Sequence, residues 1–289
     1  MTTPSTLSGN DAMMAVESIS KTYGVINKTE SLHDLTIALK KGKCICLVGR
    51  NGAGKSTALR IIAGLITRSS GNVRTEYSIG YLPETLGIYP NLTLRDNLQF
   101  FARLARNTAP MDGLLTKLGL PVSSNPLASK LSKGMKRKLA FAMIMVQKPD
   151  IYILDEPFEG VDYISVRYMI SVINELKQNN KSFIISSHSF SYLDEITDEV
   201  ILLDNSMVKR TFNLPYNGLI IRFNSDRENV DKIITKLGLR ANFSMFPDVL
   251  IENVENPESI IRSLMDNGLF PAEYRNISLS DIIRDDGIE

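Results

Sequence analysis

A glycine-rich segment restricts the folds that this chain can adopt. It matches the pattern G-x-x-x-x-G-K-[ST] at every position, and its residues are Gly49, Arg50, Asn51, Gly52, Ala53, Gly54, Lys55, Ser56 and Thr57. An apolar stretch precedes the segment and a helix-forming stretch follows it, which is the strand, loop and helix context that the motif requires. Glycines allow successive backbone N–H groups to point inward at the positive end of the following helix, so the segment is predicted to bind phosphate.

The polar side chains of this segment predict which phosphates are bound. Lys55 is expected to reach the β- and γ-phosphates of a nucleoside triphosphate, and the Ser56 hydroxyl is expected to ligate Mg²⁺. The remaining predicted contacts to the nucleotide are Gly49, Asn51, Gly52, Ala53, Gly54 and Thr57. A glycine-rich turn without a ligand is the alternative, and the complete motif in its expected context disfavours it.

Four short apolar runs predict a parallel β-sheet. They are continuously apolar, as expected for strands that helices cover on both faces, and they are 44–48, 151–154, 182–185 and 200–203. Helix-forming stretches separate them, which implies right-handed crossover connections. The predicted fold class is therefore α/β, with a P-loop NTPase (RecA-like) core.

Polar residues at the ends of two of these runs predict the rest of a catalytic site. Asp155 and Glu156 follow the second run, where Asp155 can hold Mg²⁺ through water and Glu156 can act as general base on an attacking water. His188 follows the third run, at the strand end where open α/β sheets bind ligands. Alone, each of these patterns is equally compatible with a strand that meets solvent or with a structural histidine.

The chain is predicted to contain two domains and a short tail. Residues 1–13 read as a flexible tail, and residues 14–212 as a nucleotide-binding domain with an inserted helical subdomain at about 86–145. In that insertion Leu94, Leu98, Phe101 and Leu104 recur at helical spacing and are predicted to be core residues. Residues 213–289 read as a small α+β domain of βαβα order with a last helix from Ser280.

Composition excludes several classes of protein. The formal net charge is +1, which is unsuited to nucleic-acid binding. No run approaches the ~20 apolar residues of a membrane-spanning helix, and the N-terminal residues lack the pattern of a secretory signal. Cys44 and Cys46, the only cysteines, are interpreted as reduced residues of a buried strand, since a zinc site needs four ligands. The predicted location is cytoplasmic.

Five ordered motifs across about residues 16–208 resemble those of ATP-binding cassette (ABC) ATPases. Besides the glycine-rich loop and the Asp155–Glu156 pair, residues 131–138 (LSKGMKRK) resemble the signature motif. Residues 81–84 (YLPE) resemble the loop that joins the subdomains, and 160–162 (GVD) the loop after the base. Lys133 and Met135 depart from the usual signature residues. Glu84 stands where most members have glutamine, and we interpret it as a tolerated variant.

The resemblance implies further roles for individual residues. Tyr23 matches the aromatic residue that stacks on adenine, and His188 matches the switch histidine that contacts the γ-phosphate. Glu84 is expected to ligate Mg²⁺ or hold water, and Asp162 to contribute to the nucleotide site. Ser132 and Gly134 are expected to contact the ATP of a second, identical subunit, in a nucleotide-sandwich homodimer. The implied cofactors are ATP and Mg²⁺.

Three functions are compatible with this resemblance. The first is the ATPase subunit of a transporter that works through a separate membrane permease, attached to its cytoplasmic face; the run 82–90 and the C-terminal extension favour export. The second is a soluble ABC ATPase that acts on ribosomes or DNA, although the chain lacks a second cassette and long coiled coils. The third is a regulator without hydrolysis, which Lys55, Asp155, Glu156 and His188 disfavour.

Overall fold

The computed structural model describes residues 12–24, 28–85, 87–107, 112–188, 192–214, 218–252, 254, 256–277 and 281. The chain divides into two compact units, Met1–Thr211 and Phe212–Glu289. The first strand already begins at Ala12, so Ala12 and Met13 belong to the sheet and not to a tail; Met13 is 3% exposed. Leu86 and Ser280, where the helical insertion and the last helix were predicted to begin, lie outside the described residues.

Nine strands and five α-helices are described between residues 12 and 213. The strands are β1 (Ala12–Tyr23), β2 (Thr29–Lys40), β3 (Cys44–Val48), β4 (Ser70–Thr75), β5 (Ile79–Leu82), β6 (Ile151–Asp155), β7 (Ser182–Ser187), β8 (Glu199–Asp204) and β9 (Met207–Asn213). The helices are α1 (Lys55–Ile62), α2 (Leu94–Leu104), α3 (Asp112–Lys117), α4 (Lys133–Met145) and α5 (Tyr163–Gln178). No helix in the described ranges has the length and apolar character needed to cross a bilayer.

Within the described residues, nine strands form one sheet in the order β4-β1-β2-β9-β8-β3-β7-β6-β5. The four predicted apolar runs are β3, β6, β7 and β8, which are neighbours and pair in parallel. Every residue of β3, β6 and β7 is buried, as expected for strands covered on both faces. The predicted parallel α/β core is therefore confirmed.

The antiparallel part of this sheet was not predicted from the sequence. β1 pairs antiparallel with both β2 and β4, and register shifts interrupt both ladders. β1 and β2 mix buried and exposed positions and lack a continuous apolar run, because antiparallel strands can leave part of a face in solvent. Their residues therefore carry a weaker strand signal than the central strands do.

The segment between β5 and β6 contains α2, α3 and α4. Leu94 and Leu98 are buried on α2, as predicted, but the prediction that Leu104 is a core residue is wrong, since Leu104 is 67% exposed. Tyr89 packs edge-on against Phe100 with ring centroids 5.1 Å apart, and both rings are partly exposed. Helical spacing identified the apolar residues of α2 without indicating which of them the neighbouring elements cover.

The second unit is an α+β structure. Its elements are β10 (Gly218–Phe223), α6 (Arg227–Lys236), β11 (Ala241–Asn242), β12 (Asp248–Glu252), α7 (Pro257–Asp266) and β13 (Pro271–Asn276). Within the described residues the four strands pair antiparallel in the order β11-β12-β10-β13. The predicted βαβα order omitted β11, which has two residues, and β13, whose largely exposed and polar residues lack an apolar signal.

The two cysteines lie on β3, in the centre of the large sheet. Both are free and fully buried, as interpreted from the sequence. Burial raises the pKa of Cys44 to about 12 and raises the pKa of Cys46 well above its usual value. Neither thiol is therefore a candidate for metal ligation or redox chemistry in the folded protein.

Candidate active site

The predicted site residues follow three adjacent parallel strands. β3 pairs with β7, and β7 pairs with β6, so their carboxyl ends lie at one edge of the sheet. The glycine-rich loop leaves β3 at this edge, Glu156 follows β6, and His188 follows β7. Parallel pairing therefore brings together residues that are far apart in the sequence.

The glycine-rich loop is shaped by glycines that no other residue can replace easily. Gly54 has φ +100°, and a Cβ atom there would lie 2.4 Å from the carbonyl oxygen of Ser31. A Cβ on Gly49 would lie 2.2 Å from the carbonyl oxygen of Leu203. Both distances are shorter than any normal contact, so the loop requires glycine at these positions.

Lys55 begins α1 and is directed into the loop. Its Nζ donates hydrogen bonds to the carbonyl oxygens of Gly49 at 2.6 Å and Arg50 at 3.2 Å, and lies 3.8 Å from Glu156 Oε1. Burial lowers the pKa of Lys55, while the carboxylates of Glu156 and Asp155 act in the opposite direction. The ammonium group is thus a cation at the start of a helix, where phosphate binding is favoured.

Asp155 is the centre of a small group of oxygen atoms. Its Oδ1 accepts hydrogen bonds from Ser56 Oγ at 3.1 Å and from Ser186 Oγ at 2.5 Å, and its Oδ2 accepts one from Tyr81 at 3.4 Å. Burial, followed by the charge of Asp155, raises the pKa of Tyr81 to about 12.

This group of oxygens fits a site in which Mg²⁺ is coordinated partly by the protein and partly by a nucleotide. A hydroxyl and a carboxylate are hard oxygen donors, and Mg²⁺ in such sites typically takes one or two protein ligands together with phosphates and water. Among the described residues, no group of three or more His, Cys, Asp or Glu could hold a metal ion by itself. Ser56 and Asp155 are therefore suited to an ion that arrives with a nucleotide.

Glu156 and His188 form a hydrogen-bonded pair. Glu156 Oε2 lies 2.9 Å from His188 Nδ1 and accepts a hydrogen bond from the His188 backbone N–H at 3.3 Å. Glu156 is 8% exposed and has φ +50°, an uncommon conformation for a residue with a side chain. Its own N–H donates to Ser186 Oγ at 3.0 Å. The carboxylate is therefore held in place from several directions.

Nine of the predicted site residues line a cleft of about 460 Å³. The described residues that line it are Ser31, Asn51, Gly52, Gly54, Lys55, Ser56, Thr57, Glu84, Glu156, Glu159 and His188. Asp155 contacts the lining residue Ser56, whereas Ala53 is packed in the hydrophobic core. Its volume and polar lining suit a polar ligand of moderate size.

Besides Asp155, Ala53 and Gly49, four predicted site residues are not among those described as lining this cleft: Tyr23, Ser132, Gly134 and Asp162. Tyr23 is 44% exposed, and Lys21 Nζ lies 4.9 Å from its ring centroid. Ser132 caps α4 by accepting a hydrogen bond from the Met135 N–H. A Cβ on Gly134 would lie 2.4 Å from the carbonyl oxygen of Gly160, so this glycine permits close packing within the chain.

Asp162 has a structural role in this chain. It caps α5 by accepting a hydrogen bond from the Ser165 N–H at 2.9 Å, and it forms an ion pair with Lys138 at 3.0 Å. The Ser165 backbone bond, and after it Lys138 and the Ser165 hydroxyl, lower the pKa of Asp162 to about 2 despite some burial. These contacts hold the loop after Glu156 against α4.

Sequence reasoning missed Ser31, Glu159 and Ser186. Ser31 lines the cleft and its Oγ lies 2.9 Å from Thr57 Oγ1, although nothing in its sequence context marks it. Glu159 lies three residues after Glu156 and forms an ion pair with Lys133 at 2.5 Å. Ser186 stands two residues before His188, which is the one signal that could have identified it.

The sheet order, the phosphate-binding loop and the buried carboxylates define a P-loop nucleoside triphosphatase. The sequence profile of a family described as "ABC transporter" matches residues 32–159. An uncharacterized ABC transporter ATP-binding protein of Methanocaldococcus jannaschii is 36% identical over 193 residues, which cover 65% of this chain and 72% of that protein. The lantibiotic transport ATP-binding protein SrtF of Streptococcus pyogenes is 31% identical over 196 residues, covering 64% and 84%.

Solved structures agree with this assignment. The structure of an ATP-binding subunit of an ABC transporter is 26% identical and superposes with a TM-score of 0.63, covering 78% of this chain and 93% of that one. A dimeric ATP-binding cassette bound to ADP and Pi is 20% identical, with a TM-score of 0.64 and coverage of 70% and 99%, and it supports the fold. The chain belongs to the ABC transporter ATPase family, and it is an ATP-binding subunit of that family.

Proposed function

We propose that this chain powers transport, in the export direction, through a separate membrane permease by hydrolysing Mg-ATP. The observation that carries the proposal is the cleft, in which Lys55, Ser56, Glu156 and His188 converge. In this proposal the chain is attached to the cytoplasmic face of the membrane through the permease. The name of the S. pyogenes relative, which refers to lantibiotic transport, and the C-terminal extension support this direction.

Four polar residues of the cleft, together with Asp155, have roles in this proposal. Lys55 binds the β- and γ-phosphates, and Ser56 and Asp155 hold Mg²⁺, which neutralises phosphate charge when it is bound. Glu156 accepts a proton from the water that attacks the γ-phosphorus. The bond from that phosphorus to the β–γ bridging oxygen then breaks, and ADP and inorganic phosphate form. His188, which is hydrogen-bonded to Glu156, would contact the γ-phosphate.

We propose that a second copy of the chain completes each site. Ser132 and Gly134 begin α4, whose first turn has positive character, and both are absent from the residues described as lining the cleft of their own chain. A two-fold arrangement would place this helix start against the phosphates of the partner's ATP. Tyr23, at the surface, would stack on the adenine, and Asp162 would hold the adjoining loop in position.

Glu84→Gln should retain most of the parental ATPase rate. Glu84 lines the cleft, and an amide oxygen can replace a carboxylate oxygen as a ligand or as a hydrogen-bond acceptor for water. We expect kcat within about threefold of the parent, because Ser56 and Asp155 remain as metal ligands. Steady-state ATPase assays across a range of Mg²⁺ concentrations measure this. A variant without activity would show that the negative charge at this position is essential.

The transporter proposal is tested by purifying the tagged chain from detergent-solubilised membranes. We expect an integral membrane protein to be recovered with it, docked near Glu84 and the partly exposed apolar side chains Tyr89, Phe100 and Leu104. Leu104→Asp should reduce that recovery, whereas Leu65→Asp, which changes an equally exposed leucine, should not. Recovery of ribosomes without a membrane protein would contradict the proposal and favour the soluble alternative.

A further inference from the structure

Arg137 is a buried arginine of α4 that none of the roles above uses. It is 2% exposed, and its NH1 donates hydrogen bonds to the carbonyl oxygens of Pro83 at 3.2 Å and Asp155 at 3.4 Å. Its NH2 lies 3.5 Å from Glu159 Oε2. A single guanidinium group therefore reaches the loop after β5, the end of β6 and the wall of the cleft.

The two carbonyl groups belong to the peptide bonds that precede two of the three glutamates that line the cleft, Glu84 and Glu156. The carbonyl of Pro83 is in the peptide group that leads into Glu84, and that of Asp155 is in the group that leads into Glu156. Both glutamates line the cleft. One nitrogen atom of Arg137 thus forms hydrogen bonds to the two backbone segments that carry Glu84 and Glu156.

The peptide group before Glu156 is held on both sides. Arg137 donates a hydrogen bond to the carbonyl oxygen of this group, which belongs to Asp155. The N–H of the same group, which belongs to Glu156, donates a hydrogen bond to the buried hydroxyl of Ser186 at 3.0 Å. With this plane fixed, the φ angle of +50° at Glu156 directs the side chain toward His188 and Lys55. A left-handed conformation at a glutamate persists only where its surroundings impose it.

Arg137 is poorly arranged for a purely stabilising role. Within the described part of the chain, the buried Nε atom of Arg137 has no hydrogen-bond partner. A buried cation with an unpaired donor costs stability. Its contacts instead converge on backbone groups that orient the cleft.

We propose that Arg137, together with Ser186, is a positioning residue for ATP hydrolysis that sets the orientation of Glu156 and its placement relative to Glu84. The inference rests on the proposed role of Glu156 as general base. Removing Arg137 leaves every nucleotide-contacting side chain in the chain but releases the peptide group that aims the base. The loss should therefore fall on the chemical step and not on nucleotide binding.

The test compares Arg137→Met and Arg137→Gln with the parent in four measurements: kcat, KM for ATP, affinity for a fluorescent ATP analogue, and melting temperature. We expect kcat to fall by roughly 10- to 100-fold, because small displacements of a catalytic group have effects of this size. KM and analogue affinity should stay within about threefold. Arg137→Met fills most of the buried volume and leaves Glu159 paired with Lys133, so we expect it to fold, and the melting temperature measures the stability that it loses.

Ser186→Ala provides the second arm of the test. It removes the acceptor for the Glu156 N–H, and it should also lower kcat by about tenfold or more. Because both residues hold the same peptide group, the double variant should lose less than the product of the two single losses. Arg167→Gln is the control, since Arg167 forms a surface ion pair with Glu195, and its kcat should match the parent.

Three results would overturn the inference. The first is a folded Arg137→Met variant with the parental kcat. The second is a variant that changes only KM and the affinity for the ATP analogue. The third is a double variant whose loss in kcat equals the product of the losses of the Arg137 and Ser186 single variants. The Glu156→Gln variant, assayed in parallel, separates this inference from the proposed function. If Glu156→Gln is inactive while the Arg137 variants are fully active, only the positioning role fails; if Glu156→Gln retains the parental rate, the assignment of the base fails.

Discussion

Replacing Glu156 by glutamine should stop hydrolysis while leaving ATP bound. Glutamine has nearly the same shape but cannot accept the proton of the attacking water, so we expect kcat to fall by roughly 10²- to 10⁴-fold. Lys55 and the glycine-rich loop remain, and ATP affinity should therefore be unchanged. In the proposed homodimer, uncleaved ATP should hold two copies together, and size-exclusion chromatography with Mg-ATP should reveal the dimer.

The matched control for this experiment is Glu195→Gln. Glu195 is a partly exposed residue that pairs with Arg167, outside the residues that line the cleft. It should hydrolyse ATP at the parental rate and should show no ATP-dependent dimer beyond that of the parent. A Glu156→Gln protein that hydrolyses ATP normally would mean that another group serves as the base.

Lys55→Ala should abolish useful ATP binding. The side chain is a buried cation within the phosphate loop, and its removal takes away hydrogen bonds to charged oxygens worth about 1.5–3 kcal/mol each. Two such contacts correspond to roughly 10²- to 10⁴-fold in Kd. Isothermal titration or fluorescence with an ATP analogue measures the change directly.

A lysine on the surface of the same unit serves as the comparison for Lys55→Ala. Lys181 forms an ion pair with Asp150 at 2.8 Å and does not line the cleft. Lys181→Ala should bind ATP with parental affinity. If Lys55→Ala also binds ATP within threefold of the parent, the phosphates are held by other groups and the assignment of this loop is wrong.

The predictability of the fold depended on how completely each strand is buried. β3, β6, β7 and β8 are covered on both faces, so their sequences are continuously apolar and identify them. β1 and β2 lie in the antiparallel part of the sheet, and their residues alternate irregularly because bulges interrupt the ladders. Whether such a segment forms a strand depends on the strands with which it pairs, and the local sequence does not show which strands those are.

The same distinction applies to the candidate site. Lys55 and Ser56 were identifiable because the loop that carries them is contiguous in sequence. Arg137 and Ser186 were not, since their effect on Glu156 depends on the packing of α4 and β7 against the end of β6. Arg137 lies in the stretch 131–138 that resembles the signature motif, and Ser186 lies two residues before His188, but neither position indicates a contact with the peptide group before Glu156.

Because Cys44 and Cys46 are buried on β3, their reaction with a thiol reagent can report when the structure around β3 opens. With the pKa of Cys44 raised to about 12, its thiol is protonated at neutral pH, and solvent does not reach either sulfur. An alkylating reagent therefore modifies only molecules in which the packing around β3 has opened. Because β3 leads into the glycine-rich loop, the rate of alkylation measures how often the core next to that loop opens.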